Sequence, residues 1–191
     1  MRLEQLQSEY ADDLVIVWRS YLLQPQPRPK PRDRFIAYTQ GWLRPGGPGD
    51  QAPECGFAPW TIDDDEPPTH SLPAAIAGKV AATFGTEAFD RFHLAAMRAY
   101  FVEHRTISDP EVLTAIAVET GLPGDEVAAR LARDGGALAA VVLEEHRHGI
   151  EDVEVHAVPS VVVNRFPIPG AQELDVYRRM IERLLAKRGA S

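Results

Sequence analysis

Cysteine is nearly absent from this chain: among 191 residues there is one, Cys55. A single thiol closes no intramolecular disulfide and completes no four-cysteine zinc site, so neither device can hold the fold together. Long apolar runs are missing too. No stretch reaches the roughly 18 residues of a membrane-spanning helix. The opening Met1-Arg2-Leu3-Glu4-Gln5-Leu6-Gln7 has no continuous apolar stretch behind it, so it is neither a secretory signal nor an anchor. Positive charge is in deficit: 20 Lys and Arg against 28 Asp and Glu leave a formal net charge of −8. That balance argues against a general nucleic-acid binder, which needs clustered cations to displace phosphate counterions. The expectation is a soluble cytoplasmic protein, with no nucleic acid and no membrane among its partners.

With 45% hydrophobic residues the chain can build one domain with a sizeable core, or one domain carrying a large insertion. Leu3, Leu6 and Tyr10 fall on one face of a helix already under way at the start. After Asp12-Asp13, Leu14-Val15-Ile16-Val17-Trp18 has the length and β-branched composition of a buried strand. From Gln24 to Thr69 the composition changes. Pro25-Gln26-Pro27-Arg28-Pro29-Lys30-Pro31 favours extended polyproline geometry, Asp33 to Trp42 reads as a short helix, and Arg44 to Pro53 is rich in Gly and Pro. So long a weakly structured connection is either functional or a solvated loop with aromatic anchors.

A run of helices follows. Ser71 to Phe84 is Ala-rich with Pro73 in its first turn. Thr86 reads as an N-cap for the stripe Phe89, Phe92, Met97, Tyr100 and Phe101. Ser108-Asp109-Pro110-Glu111 reads as a capping box ahead of Val112, Leu113, Ile116 and Ala117. Beyond Gly121-Leu122-Pro123-Gly124, two further helices are expected, Asp125 to Arg133 and Ala137 to His148. The last third changes period. Val161-Val162-Val163-Asn164 and the segment around Ile168 read as two strands joined tightly at Asn164-Arg165. Gln172 to Lys187 returns to helix, with Arg178, Arg179, Arg183, Lys187 and Arg188 toward its C-terminal end, where the helix dipole favours cations.

Few residues suggest chemistry by themselves. Cys55, in Pro53-Glu54-Cys55-Gly56-Phe57, has no neighbouring base and reads as a passive thiol. The histidines show no metal-ligand spacing: His146 and His148 point to different helix faces, and His70, His93, His104 and His156 are scattered. Asp63-Asp64-Asp65-Glu66 reads as a solvated acidic loop. No metal and no cofactor is implied.

Two segments carry a family resemblance. Ala157-Val158-Pro159-Ser160-Val161-Val162-Val163-Asn164, followed by Ile168-Pro169-Gly170-Ala171-Gln172, resembles the cis-proline region of DsbA-like proteins. Arg2-Leu3-Glu4 through Glu9-Tyr10 to Val17-Trp18-Arg19-Ser20-Tyr21-Leu22-Leu23 resembles the end of the active-site helix and the next strand in cytosolic, FrnE-like members. Between them, Trp60, Thr69-His70-Ser71-Leu72-Pro73-Ala74, Phe89 to Phe101 and Ile107-Ser108-Asp109-Pro110 look like the helical insertion of that group. The resemblance implies an α/β, thioredoxin-like fold with a large helical insertion. It implies one domain over residues 1–191, its thioredoxin parts near 1–23 and 150–191 and its insertion near 24–149. The N-terminal β-strand and the start of the first helix are then absent.

In that family a strand leads into a Cys-x-x-Cys at a helix N-terminus, where the helix dipole stabilises a thiolate. The resemblance places that dithiol just before Met1, so this chain lacks it, and the family's intramolecular thiol–disulfide cycle cannot run. Either the start is set too late, or the protein kept the later elements and lost the reaction. Losing the first strand would leave an edge of the sheet unpaired. Val158 and Pro159 are the implied substrate-binding residues, with His70 opening the helix that tends to lie over that side. The resemblance implies a cis Val158–Pro159 peptide, whereas the bare rules also allow a trans proline opening a strand. The expected partner is a thiol- or disulfide-containing protein or a low-molecular-weight thiol. Two alternatives stand beside this reading. One is a non-catalytic module that holds a peptide or pairs with itself as a homodimer. The other is a glutathione-dependent enzyme like the kappa-class transferases and hydroxychromene-carboxylate isomerases.

Overall fold

Leu3, Leu6 and Tyr10 line one side of the first helix, α1 (Arg2–Tyr10), in the computed structural model, which describes residues 2–164 and 166–189. The chain divides into two units, Met1–Tyr21 with Glu144–Ser191 and Leu22–Leu143.

The first unit gathers around Leu6 of α1 and Tyr177 and Ile181 of the last helix, α8 (Leu174–Gly189). Strands β1 (Ser160–Val163) and β2 (Phe166–Pro169) form an antiparallel pair, with Ser160 opposite Pro169 and Val163 opposite Phe166. Val161 and Ile168, opposite each other, pack onto the same helical core. Asn164 turns the hairpin at a φ of +48°, a left-handed conformation that Asn tolerates; Arg165 lies outside the described residues. Arg178 of α8 grips Glu9 of α1 through two hydrogen bonds of 2.8 and 2.6 Å. With a further bond from Gln5, this holds the Glu9 carboxyl down at about 2. Of the basic residues at the end of α8, the side chain of Arg188 lies outside the described residues.

The second unit is helical. It contains α2 (Arg32–Thr39), α3 (Pro48–Gln51), α4 (Leu72–Ala82), α5 (Thr86–Phe101), α6 (Pro110–Glu119) and the larger part of α7 (Gly124–Glu151). Val80 and Ala81 of α4, Phe92 and Ala99 of α5 and Leu113 and Ile116 of α6 form its main core. Side chains the size of Phe92, Leu113 and Ile116 contribute roughly 1.5–3 kcal/mol each on burial. A second cluster joins Phe35, Trp42 and Trp60, all buried. Its rings meet edge to face, Phe35–Trp60 at 5.2 Å and Trp42–Phe101 at 5.1 Å, the geometry their quadrupoles prefer. The Trp60 indole donates to the Tyr100 carbonyl at 3.1 Å, and the Trp60 amide donates to the buried Thr39 hydroxyl at 3.0 Å. The proline-rich stretch has no regular secondary structure and is tied to the start of α4: Arg28 N–H donates to Thr69 O, and Ser71 N–H to Gln24 O.

Several elements differ from the sequence expectation. Leu14–Trp18 forms no strand, although Leu14 itself has extended backbone angles. A ladder needs a partner, and only Leu14 joins the core, whereas Val15 and Val17 are 79% and 61% exposed. The helices expected at Asp125–Arg133 and Ala137–His148 are one 28-residue helix. Gly135 and Gly136 each cost about 1 kcal/mol there, too little to break a helix of that length. Thr86 is the first residue of α5, and its cap position is Gly85 at a φ of +114°. Asp109, not Ser108, caps α6 by accepting from the Glu111 N–H at 2.8 Å; the Ser108 hydroxyl accepts instead from the Thr69 N–H at 3.1 Å. Within the Gly- and Pro-rich stretch, Pro48–Gln51 forms a short turn of helix.

Candidate substrate-binding loop

The segment entering β1 is built from backbone geometry. The Val158–Pro159 peptide is cis. The Pro159 carbonyl accepts from the Gly170 N–H at 2.8 Å, and Gly170 reaches it at a φ of +77°, where a side chain is strained. The Ser160 hydroxyl donates to the Ala157 carbonyl at 2.6 Å, and the Gln172 side chain donates to the Pro169 carbonyl at 2.7 Å. The Gln172 N–H in turn donates to the Tyr177 hydroxyl at 3.2 Å, which ties the segment to α8. Val158 is 40% exposed, so an apolar side chain stands at the surface beside Pro159.

The pairing of Pro159 with Gly170 sets the phase of the hairpin. In an antiparallel pair, hydrogen-bonded and non-bonded positions alternate. Pro159–Gly170 is bonded, so Val161–Ile168 and Val163–Phe166 are bonded as well. Ser160 and Val162 on β1, and Pro167 and Pro169 on β2, therefore turn their backbone groups away from the hairpin. Prolines have no N–H to offer, so the outer edge of β2 is blunted. The outer edge of β1 presents the amides and carbonyls of Ser160 and Val162. Among the described residues the sheet has no third strand.

His70 belongs to the second unit. Its Nδ1 lies 2.9 Å from the Thr69 hydroxyl. The ring lines an open, largely apolar depression of about 230 Å³ together with Leu72, Pro73, Ile76 and Leu131. Cys55 is exposed at the end of a single 3-10 turn, followed by Gly56 in the left-handed region. Three further histidines make local contacts. His146 meets the Tyr21 ring edge-on at 5.2 Å, and His148 contacts Asp152 at 2.6 Å. His93 stacks on Phe89, and burial lowers its pKa. Among the described residues no cluster of three or more His, Cys, Asp or Glu side chains could hold a metal.

One constellation escaped the sequence reading. The Asp63–Glu66 stretch is held in place rather than loosely solvated: Arg32 donates to the Ile62 and Asp64 carbonyls at 2.7 and 2.8 Å and to the Glu66 carboxylate at 2.6 Å. Asp64 faces Nδ1 of His104 at 2.9 Å, while Nε2 of the same ring lies 2.9 Å from the Ala58 carbonyl. Both partners are acceptors, so the ring satisfies both only when doubly protonated. Burial would raise the Asp64 pKa, but the Thr61 amide, the Thr61 hydroxyl and His104 together hold it below its ordinary value. His104 lies three residues beyond the end of α5 and stands at a φ of +58°.

These features define the class. The chain has the DsbA-like thioredoxin fold, as a helix-rich form with a two-stranded sheet. It superposes on "a putative protein disulfide isomerase from Nitrosomonas europaea" with a TM-score of 0.70 and 14% identity, over 97% of this chain and 89% of that one. It superposes on the cytosolic disulfide reductase DsbM from Pseudomonas aeruginosa with a TM-score of 0.63 and 19% identity, over 100% and 91%. In sequence it is 29% identical over 106 residues to the uncharacterised protein YwbO of Bacillus subtilis (strain 168); the match takes in 49% of this chain and about half, 52%, of that relative. No family model matches. The two cysteines of a Cys-x-x-Cys pair are absent from the 191 residues. Among the described residues no helix is long and apolar enough to cross a membrane.

Proposed function

We propose that this chain is the peptide-holding framework of a cytoplasmic thiol–disulfide oxidoreductase of the DsbA-like, FrnE-like type, and that it runs no dithiol cycle by itself. The observation that carries the reading is the likeness in fold to disulfide-handling proteins over nearly the whole chain. The partner is a thiol- or disulfide-containing protein, or a low-molecular-weight thiol, held at the cis-proline loop of Val158 and Pro159. An extended peptide suits the free backbone of Ser160 beside that loop, since strand pairing supplies affinity without regard to side chains. Turnover is another matter. Exchange between a dithiol and a disulfide needs a second thiol to resolve the mixed disulfide, and Cys55 is alone.

The test is insulin reduction by excess dithiothreitol or glutathione, with and without the chain. No rate above the uncatalysed one is expected, and catalysis by this chain would overturn the proposal. In parallel, a fluorescently labelled, extended peptide containing one cysteine should bind saturably, and Val158→Asp should weaken that binding by about tenfold. Saturable glutathione binding with no peptide binding would favour the glutathione-dependent reading instead.

A further inference from the structure

Helix α7 turns one apolar stripe toward the helical core, where Val127, Leu131 and Leu138 pack at helical spacing. Gly135 falls on the same stripe, between Leu131 and Leu138, and it is half-buried. A leucine there would bury apolar area and suit the helix better, since glycine is a poor helix former. Nothing in the packing forbids one: a Cβ at Gly135 meets no atom within 4 Å. The stripe therefore holds a gap that neither helix propensity nor sterics explains.

The gap opens onto the depression that holds His70. Leu72 and Ile76 wall it from α4, Leu113 from α6, and Leu131 and Gly135 from α7. At about 230 Å³ it is smaller than the roughly 300–1,000 Å³ of drug-sized sites, so it suits a single small ring system. His70 supplies one polar group to this apolar lining. The Thr69 hydroxyl engages its Nδ1, and among the described residues Nε2 has no protein partner. A ring nitrogen left in that state can give or take one hydrogen bond.

We infer that the hollow between α4, α6 and α7 binds a small, flat, uncharged apolar molecule carrying one hydrogen-bonding group, such as an aromatic alcohol. Gly135 lets the ring lie against the α7 backbone. The apolar side chains supply the binding energy, and Nε2 of His70 pairs with the hydroxyl. A charged ligand is disfavoured: apolar walls penalise ions of either sign, and Glu111 in the adjoining depression repels an anion. The inference rests on the helical unit alone and not on the oxidoreductase reading, so either can fail without the other.

Titration of 1-naphthol into the full chain, followed by methyl and histidine-ring NMR, tests this. The methyl signals of Leu72, Ile76, Leu113 and Leu131 and the Nε2 signal of His70 should move together and saturate. The dissociation constant should be on the order of 100 µM to 1 mM. Gly135→Leu should abolish the shifts while raising the melting temperature by a few degrees. That pairing separates a gap kept for a ligand from a glycine the fold requires, whose replacement lowers stability. Gly136→Ala, on the exposed side of α7, should leave binding unchanged. His70→Leu should weaken binding about fivefold with the fold intact. If Gly135→Leu misfolds, the shifts of the unaltered chain decide. Shifts that rise without saturating, or that spread over methyls outside the hollow, overturn the inference. So does undiminished binding by the folded Gly135→Leu or His70→Leu variant.

Discussion

His104 carries a load that can be weighed. Its ring bridges the Asp64 carboxylate and the Ala58 carbonyl, both at 2.9 Å, and lies 5.3 Å from the Trp60 ring. Replacing it with alanine deletes both hydrogen bonds and the ring contact, and leaves Asp64, with its side chain 21% exposed, to Thr61 alone. A hydrogen bond to a charged partner contributes about 1.5–3 kcal/mol and a neutral one about 0.5–1.5 kcal/mol. Partial water entry offsets some of that, so His104→Ala should destabilise by about 2–4 kcal/mol. The positive φ of His104 is kept in this variant, so no strain is relieved. His104→Gly loses the same bonds but relieves the left-handed backbone, and should recover about 1 kcal/mol. A double-mutant cycle with Asp64→Asn should return a coupling of about 1–2 kcal/mol. The assay is urea unfolding, followed by far-UV circular dichroism and tryptophan fluorescence. A loss under about 0.5 kcal/mol for His104→Ala, or zero coupling to Asp64, would refute the bridge as an energetic element.

The depressed pKa values have a definite sign. A carboxyl held below its unfolded value stabilises the fold above that value, and the contribution disappears as pH falls through the folded one. For Glu9, clamped by Arg178 at about 2, the clamp should outlast ordinary carboxylates on acidification. Glu9→Gln should flatten the melting temperature's dependence on pH between the usual Glu range and about 2, and an unchanged slope would remove Glu9 from the account. In α7, a Cβ added at Gly135 or Gly136 meets nothing within 4 Å. Gly135→Ala and Gly136→Ala should each stabilise by about 0.5–1 kcal/mol, read as a raised melting temperature; a lowered one would mean the glycines serve another purpose.

Much of the local architecture is legible in the chain. The apolar spacing of Leu3, Leu6 and Tyr10 marks α1, and the stripe from Phe89 to Phe101 marks α5, because a period of 3.6 residues is written in consecutive side chains. The hairpin at Asn164 follows from β-branched runs around a residue that tolerates positive φ. The lone cysteine and its consequence for redox chemistry require no coordinates. The loop at Val158 and Pro159 was legible only through a family pattern, since a proline before a strand is otherwise unremarkable. The His104–Asp64 bridge was not legible. Its partners lie forty residues apart, and nothing in Asp63-Asp64-Asp65-Glu66 says which carboxylate turns inward.

What the sequence determined by itself was therefore most of the helices and the C-terminal hairpin, the sign of the charge and the limit that one thiol places on chemistry. Those properties reside in neighbouring residues or in simple counts. Tertiary structure decided the rest. It left Leu14–Trp18 without a ladder, because strand character becomes a strand only when a partner supplies hydrogen bonds. It carried α7 through two glycines, whose cost a 28-residue helix absorbs. It also turned Pro167 and Pro169 outward, because the register across the hairpin decides which backbone groups face away from it.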